Sequence, residues 1–126
     1  MRVFKFGGAS VKDAAGIKNV YDVLQKVGYE DVLLVVSAMG KTTNALEVVI
    51  KNYFDKSAEL KSSVQEVKKY HNQIVMDLFD DEKNEVFAAV NSQFADLEYF
   101  LAHNKSPNYN FVYDQIVSYG ELISTT

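Results

Sequence analysis

Residues 32–36 read VLLVV, an apolar side chain at every position. A strand of this kind has no face to give to water and needs cover on both sides, which points to a parallel sheet flanked by helices. Upstream, Arg2 to Phe6 alternates polar and apolar side chains around β-favouring Val3, Phe4 and Phe6 before Gly7 and Gly8 break it, as in a strand running into a turn. Between the two, Ile17, Val20, Tyr21, Leu24 and Val27 recur at helical spacing, and Gly28 stands where that helix would end. These segments predict one right-handed βαβ unit. Both strands then finish on the same side, so the loops FGGAS (6–10) and SAMGKTTN (37–44) should be neighbours at the edge where open α/β sheets gather ligands.

After Asn44 the texture changes. From Ala45 to His103 there is neither glycine nor proline, and the apolar patterns have a helical period. Leu60, Val64, Val67, His71, Ile74 and Leu78 form one stripe; Val86, Val90, Phe94, Leu97 and Leu101 form another. The charged DDEKN at 80–84 reads as the bend between them, which predicts a long helical hairpin from about 57 to 103. Asn104 to Asn110, holding Pro107, is the clearest loop. The closing VYDQIVSYGELISTT is helical in pattern but lacks a glycine cap, a basic last turn or a proline. The expected architecture is α/β, a short parallel sheet flanked by helices. Residues 1–126 are expected to form a single partial domain, the front part of a longer protein.

Composition excludes several function classes. With 13 basic against 17 acidic side chains, the net charge of -4 offers no general field for a polyanion, so no nucleic-acid partner is expected. The absence of cysteine rules out thiolate metal sites and cysteine nucleophiles. No apolar run is long enough for a membrane span or a secretory leader, and a cytoplasmic chain is the expectation.

Paired glycines carry an entropic cost, so a bare main chain at Gly7 and Gly8 calls for a reason. One is phosphate: Lys5 ends the strand, and the amides of Gly7, Gly8, Ala9 and Ser10 can point together at an anion ahead of a helix N-terminus. The other is a tight turn beside an exposed lysine. Gly40-Lys41-Thr42 invites a P-loop reading, but that motif needs a further glycine five places earlier, where Val35 sits inside the strand. Ser37, Lys41, Thr42 and Thr43 therefore read as a polar loop with a helix cap or as substrate contacts. Glu121 follows Gly120 among Ser118, Ser124 and Thr125, which leaves room for a ligand to reach its carboxylate; the plain alternative is a solvated glutamate. His71, alone on an apolar stripe, reads as a packed side chain, and His103 as an exposed one.

Taken jointly, KFGGASV (5–11), VVSAMGKTTN (35–44) and VSYGELIST (117–125) resemble the amino-terminal part of the aspartate kinases, in the amino acid kinase family. The resemblance implies transfer of the ATP γ-phosphoryl group to the side-chain carboxylate of L-aspartate, with Mg²⁺, in the biosynthesis of lysine, threonine and methionine. It implies that Lys5 neutralises charge on the phosphates and that Gly7, Gly8 and Ser10 form the main-chain cradle. Ser37 and Thr43 would contact substrate, and Glu121 would hold the aspartate amino group. No metal ligand is carried over. Ala9 stands where the family usually has threonine, which removes a hydroxyl and leaves main-chain donation intact. An aspartate carboxylate is already ionised at neutral pH and needs no general base, in keeping with a chain that shows lysine, glycines and hydroxyls. The resemblance also implies a homo-oligomer, monofunctional or fused to a homoserine dehydrogenase, and a chain that alone is inactive. A binding or assembly module whose glycine turn is purely structural is the rival reading.

Overall fold

The computed structural model describes residues 1–126. Strand β1 (Arg2–Phe6) leads into a 3-10 turn (Gly8–Val11) and helix α1 (Ala14–Val27), and strand β2 (Val32–Val36) follows. Helices α2 (Thr42–Phe54), α3 (Leu60–Phe79), α4 (Glu85–His103) and α5 (Tyr109–Thr125) complete the chain. The two strands are parallel, with Arg2 opposite Val32, Lys5 opposite Val35 and Phe6 opposite Val36. This is the expected α/β arrangement with its α3–α4 hairpin.

Local chemistry sets the boundaries. The Asp13 side chain caps α1 by accepting from Gly16 N at 2.8 Å, and Gly28 ends it at φ +83°, a conformation open to glycine. Asn84 and Asn108 cap α4 and α5 through Val86 N and Phe111 N. Asn108 thereby starts α5 at Tyr109, earlier than the predicted end of the loop at Asn110. Helix α2 also starts early: Thr42 lies inside it, and the cap position is Lys41, which makes no side-chain capping bond.

The core lies among the helices. Leu46, Val49 and Ile50 of α2, Val64, Val67 and Val75 of α3, Val90, Phe94 and Leu97 of α4, and Val112, Ile116 and Ile123 of α5 form one buried cluster. Each such side chain contributes about 1.5–3 kcal/mol by leaving water. Both predicted hairpin stripes face inward, and Leu60, Val86 and Leu101 pack at the edge of the cluster.

The expectation for VLLVV needs correction. Leu33, Leu34 and Val35 are 49%, 42% and 41% exposed, so β2 is not the covered interior strand its composition suggests. The sheet has two strands, and within this chain neither face of β2 receives a full layer of helices. No helix is long and apolar enough to cross a membrane.

Candidate functional site

The parallel register carries both strands to one end, and there the two loops join. Ser37 N donates to Phe6 O at 3.0 Å, extending the ladder by one rung, and Gly40 N donates to Gly8 O at 3.0 Å. A Cβ at position 8 would lie 2.8 Å from Gly40 O and 3.0 Å from Ala38 O, so this approach is open only to glycine. Gly40 itself turns at φ +55°. The tight-turn explanation for the glycine pair thus holds for Gly8, while Gly7 has nothing within 4 Å of its would-be Cβ.

No hydrogen bond within the chain occupies the N–H groups of Gly7, Gly8 or Ala9. Three successive free amides beside a lysine leave donors and positive charge of the kind that suits an anion. Lys5, one residue before the end of β1, is exposed and has no ion-pair partner. Ser10 departs from the sequence reading at its main chain: its N–H donates to Gly7 O at 3.0 Å, closing the 3-10 turn, so only the hydroxyl could face an anion.

Helix α5 brings the third motif to the same place. A Cβ on buried Gly120 would meet Ala38 Cβ at 2.9 Å, with Leu46 and Thr42 just beyond. Ser124 donates its hydroxyl to Ser37 O at 2.7 Å. Glu121 therefore sits one residue from the contact with the SAMG loop; it is exposed and its carboxylate has no partner. Thr43 lies half-buried in the first turn of α2, and Ser37 is half-buried at the end of β2.

Thr42 and His71 form a buried polar pair that sequence reasoning did not connect. The Thr42 hydroxyl donates to Met39 O at 2.5 Å and lies 3.4 Å from His71 Nε2. His71 Nδ1 is 2.8 Å from Val67 O, a group that only accepts, so Nδ1 carries the proton and Nε2 faces the threonine. Burial holds the imidazole below its ordinary range, against the opposing pull of the Val67 carbonyl. The sequence signal was a single polar residue in an apolar stripe, and the structure confirms His71 as packed, at 1% exposure.

A cavity of about 810 Å³ lies between the 3-10 turn, α2 and α3. Tyr70 forms part of its wall and donates its hydroxyl to Lys12 O. Burial and then the Asp13 carboxylate push this phenol up, which keeps its proton in place for that bond. No group of three or more His, Cys, Asp or Glu side chains is gathered in the chain. The free amides and the Lys5 ammonium are donors and charge of the kind that suits a phosphate.

The amino acid kinase family profile matches residues 1–126. The chain belongs to the amino acid kinase family. It is 32% identical over 126 residues to Aspartokinase 1, chloroplastic, of Arabidopsis thaliana, covering 98% of this chain and 22% of that protein. It is 30% identical over 128 residues to the bifunctional aspartokinase/homoserine dehydrogenase 1, chloroplastic, of the same plant, covering 97% of this chain and 14% of that protein. The chain thus spans less than a quarter of either relative. For an amino acid kinase, the joined glycine loops and free amides lie at the edge where phosphate chemistry is expected.

Proposed function

We propose that this chain supplies the amino-acid side of an aspartate kinase, a transferase that moves the ATP γ-phosphoryl group to the β-carboxylate of L-aspartate. The observation that carries the reading is the meeting of three separated segments: Gly8 bonded to Gly40, Gly120 seated on Ala38, and the Gly7, Gly8 and Ala9 amides free beside Lys5.

On this reading the chain's residues act by position and charge. The Lys5 ammonium offsets negative charge as it spreads over the transferring oxygens, and the free amides orient them. The Ser10 hydroxyl adds a side-chain donor. Ser37 and Thr43 hold the substrate carboxylates, and the Glu121 carboxylate pairs with the substrate ammonium. Mg²⁺ bound with ATP in the complete protein would supply further neutralisation of phosphate charge. The substrate carboxylate is its own nucleophile, so no residue here has to remove a proton.

The parent is taken to be a cytoplasmic homo-oligomer in the pathway to lysine, threonine and methionine, and the 126-residue chain to be inactive by itself. Hydroxylamine trapping of the acyl phosphate tests the assignment on the complete protein. Aspartyl hydroxamate should form with ATP and L-aspartate and be absent with the isolated chain. Hydroxamate from another amino acid in preference to aspartate would refute the substrate. Failure to form any acyl phosphate would favour the binding-module alternative.

A further inference from the structure

We propose that Tyr70 and His71, neighbours on α3, are positioning residues for the transfer site, bracing the FGGAS and SAMG loops against that helix. Neither is among the residues assigned to phosphate or substrate; each acts through a loop. Their part in turnover rests on the kinase reading, whereas the brace is made of contacts within the chain.

Consecutive residues on a helix point about 100° apart, so one turn of α3 serves two directions. The Tyr70 hydroxyl donates to Lys12 O, at the end of the 3-10 turn that follows the glycine pair. The same oxygen lies against the second loop, since a Cβ on Gly40 would stand 2.6 Å from it. Gly40 N in turn donates to Gly8 O at 3.0 Å, the bond that joins the loops beyond the end of the sheet. Tyr70 is 37% exposed and outside the buried core cluster, so core filling does not account for its placement.

His71 reaches the second loop by way of Thr42. The Thr42 hydroxyl has one proton, given to Met39 O at 2.5 Å. His71 Nε2, the bare nitrogen of a ring whose Nδ1–H faces Val67 O, lies 3.4 Å from that hydroxyl as a second acceptor. The hydroxyl is thereby held between the turn and α3. Thr43 follows Thr42 directly and Ser37 stands two residues before Met39, so both proposed substrate contacts belong to the segment this pair fixes. An apolar ring would fill the same space between Tyr70 and Phe94, whose ring centroids lie 5.2 and 5.5 Å from the imidazole. Burial of the imidazole carries a desolvation cost that packing alone does not call for.

The test combines hydrogen-exchange mass spectrometry with steady-state kinetics on the complete protein carrying Tyr70→Phe, His71→Phe or Thr42→Val. Each change removes polar atoms and keeps the side-chain shape. Tyr70→Phe should speed exchange roughly tenfold in residues 10–13 and 37–43, about what one lost hydrogen bond allows, with residues 90–97 of α4 unchanged. It should lower kcat about five- to tenfold and leave the KM for aspartate within about twofold, because the phosphate edge is what it displaces. His71→Phe should speed exchange in 37–43 alone and raise the KM for aspartate about fivefold, with kcat little changed. Thr42→Val breaks the same contact from the loop side and keeps that arm decisive if His71→Phe does not fold. The two together should do no more than Thr42→Val alone. Loop exchange that stays at the wild-type rate, or that rises in step with residues 90–97, would overturn the brace. Faster loop exchange with kcat and KM both unmoved would overturn the positioning role. If the unsubstituted protein forms no acyl phosphate, the kinase reading fails and the role in transfer with it, while exchange still decides the brace.

Discussion

Gly120 offers a substitution whose sign, as well as size, depends on whether α5 packs against the SAMG loop. In an exposed helix interior, glycine to alanine stabilises by about 1 kcal/mol and glycine to valine by somewhat less. Here the new Cβ would lie 2.9 Å from Ala38 Cβ and 3.5 Å from Leu46 Cδ1, and every one of these neighbours is buried. Overpacking of this kind costs about 1–3 kcal/mol. Gly120→Ala should thus end between neutral and about 2 kcal/mol less stable. Gly120→Val, which adds two more methyl groups into the same contact, should lose about 2–3 kcal/mol net. Urea unfolding followed by far-UV dichroism reads this as a lower midpoint at constant slope. A midpoint that rises for both variants would mean that the glycine lies on an open helix face, and the meeting of the second and third motifs would be lost with it.

Two further outcomes follow from the core. Phe94, fully buried beside His71 with ring centroids 5.5 Å apart, should cost about 3–5 kcal/mol on truncation to alanine, measured by the same unfolding assay. His71 gives a pH dependence: its folded value lies below 6.5, so as pH falls through 6.5 the unfolded chain takes up the extra proton and stability declines, by at most about 1.4 kcal/mol per pH unit. His71→Gln should remove that component between pH 7 and pH 5, and a wild-type curve that rises toward acid would contradict the buried neutral ring.

Much of the fold was legible because its signals are local. The VLLVV run, the alternation of Arg2–Phe6 and the helical stripes each report their own element, and the parallel rule then places two loops side by side. The exposure of β2 was not legible, since composition tells how much cover a strand calls for and not how much this chain provides. Within the site, Lys5 and the glycine pair were visible as a motif. The role of Gly8 was hidden, because its constraint is a carbonyl thirty-two residues away in sequence, that of Gly40. Ser10 was read as one more free amide, and the 3-10 turn that consumes it has no strong sequence signature. The Thr42–His71 pair and the Tyr70 hydroxyl's bond to Lys12 O join α3 to the loops, and only packing reveals which side of a helical stripe meets which loop.

The central claim is that charge at the tip of β1 serves the phosphates while α5 serves the amino-acid substrate. Steady-state kinetics of the complete protein carrying Lys5→Ala and, separately, Glu121→Gln test it most directly. The account predicts that Lys5→Ala lowers kcat by roughly a hundredfold or more with little change in the KM for aspartate, while Glu121→Gln mainly raises that KM. Turnover unchanged by the loss of Lys5, with the protein still folded, would contradict it.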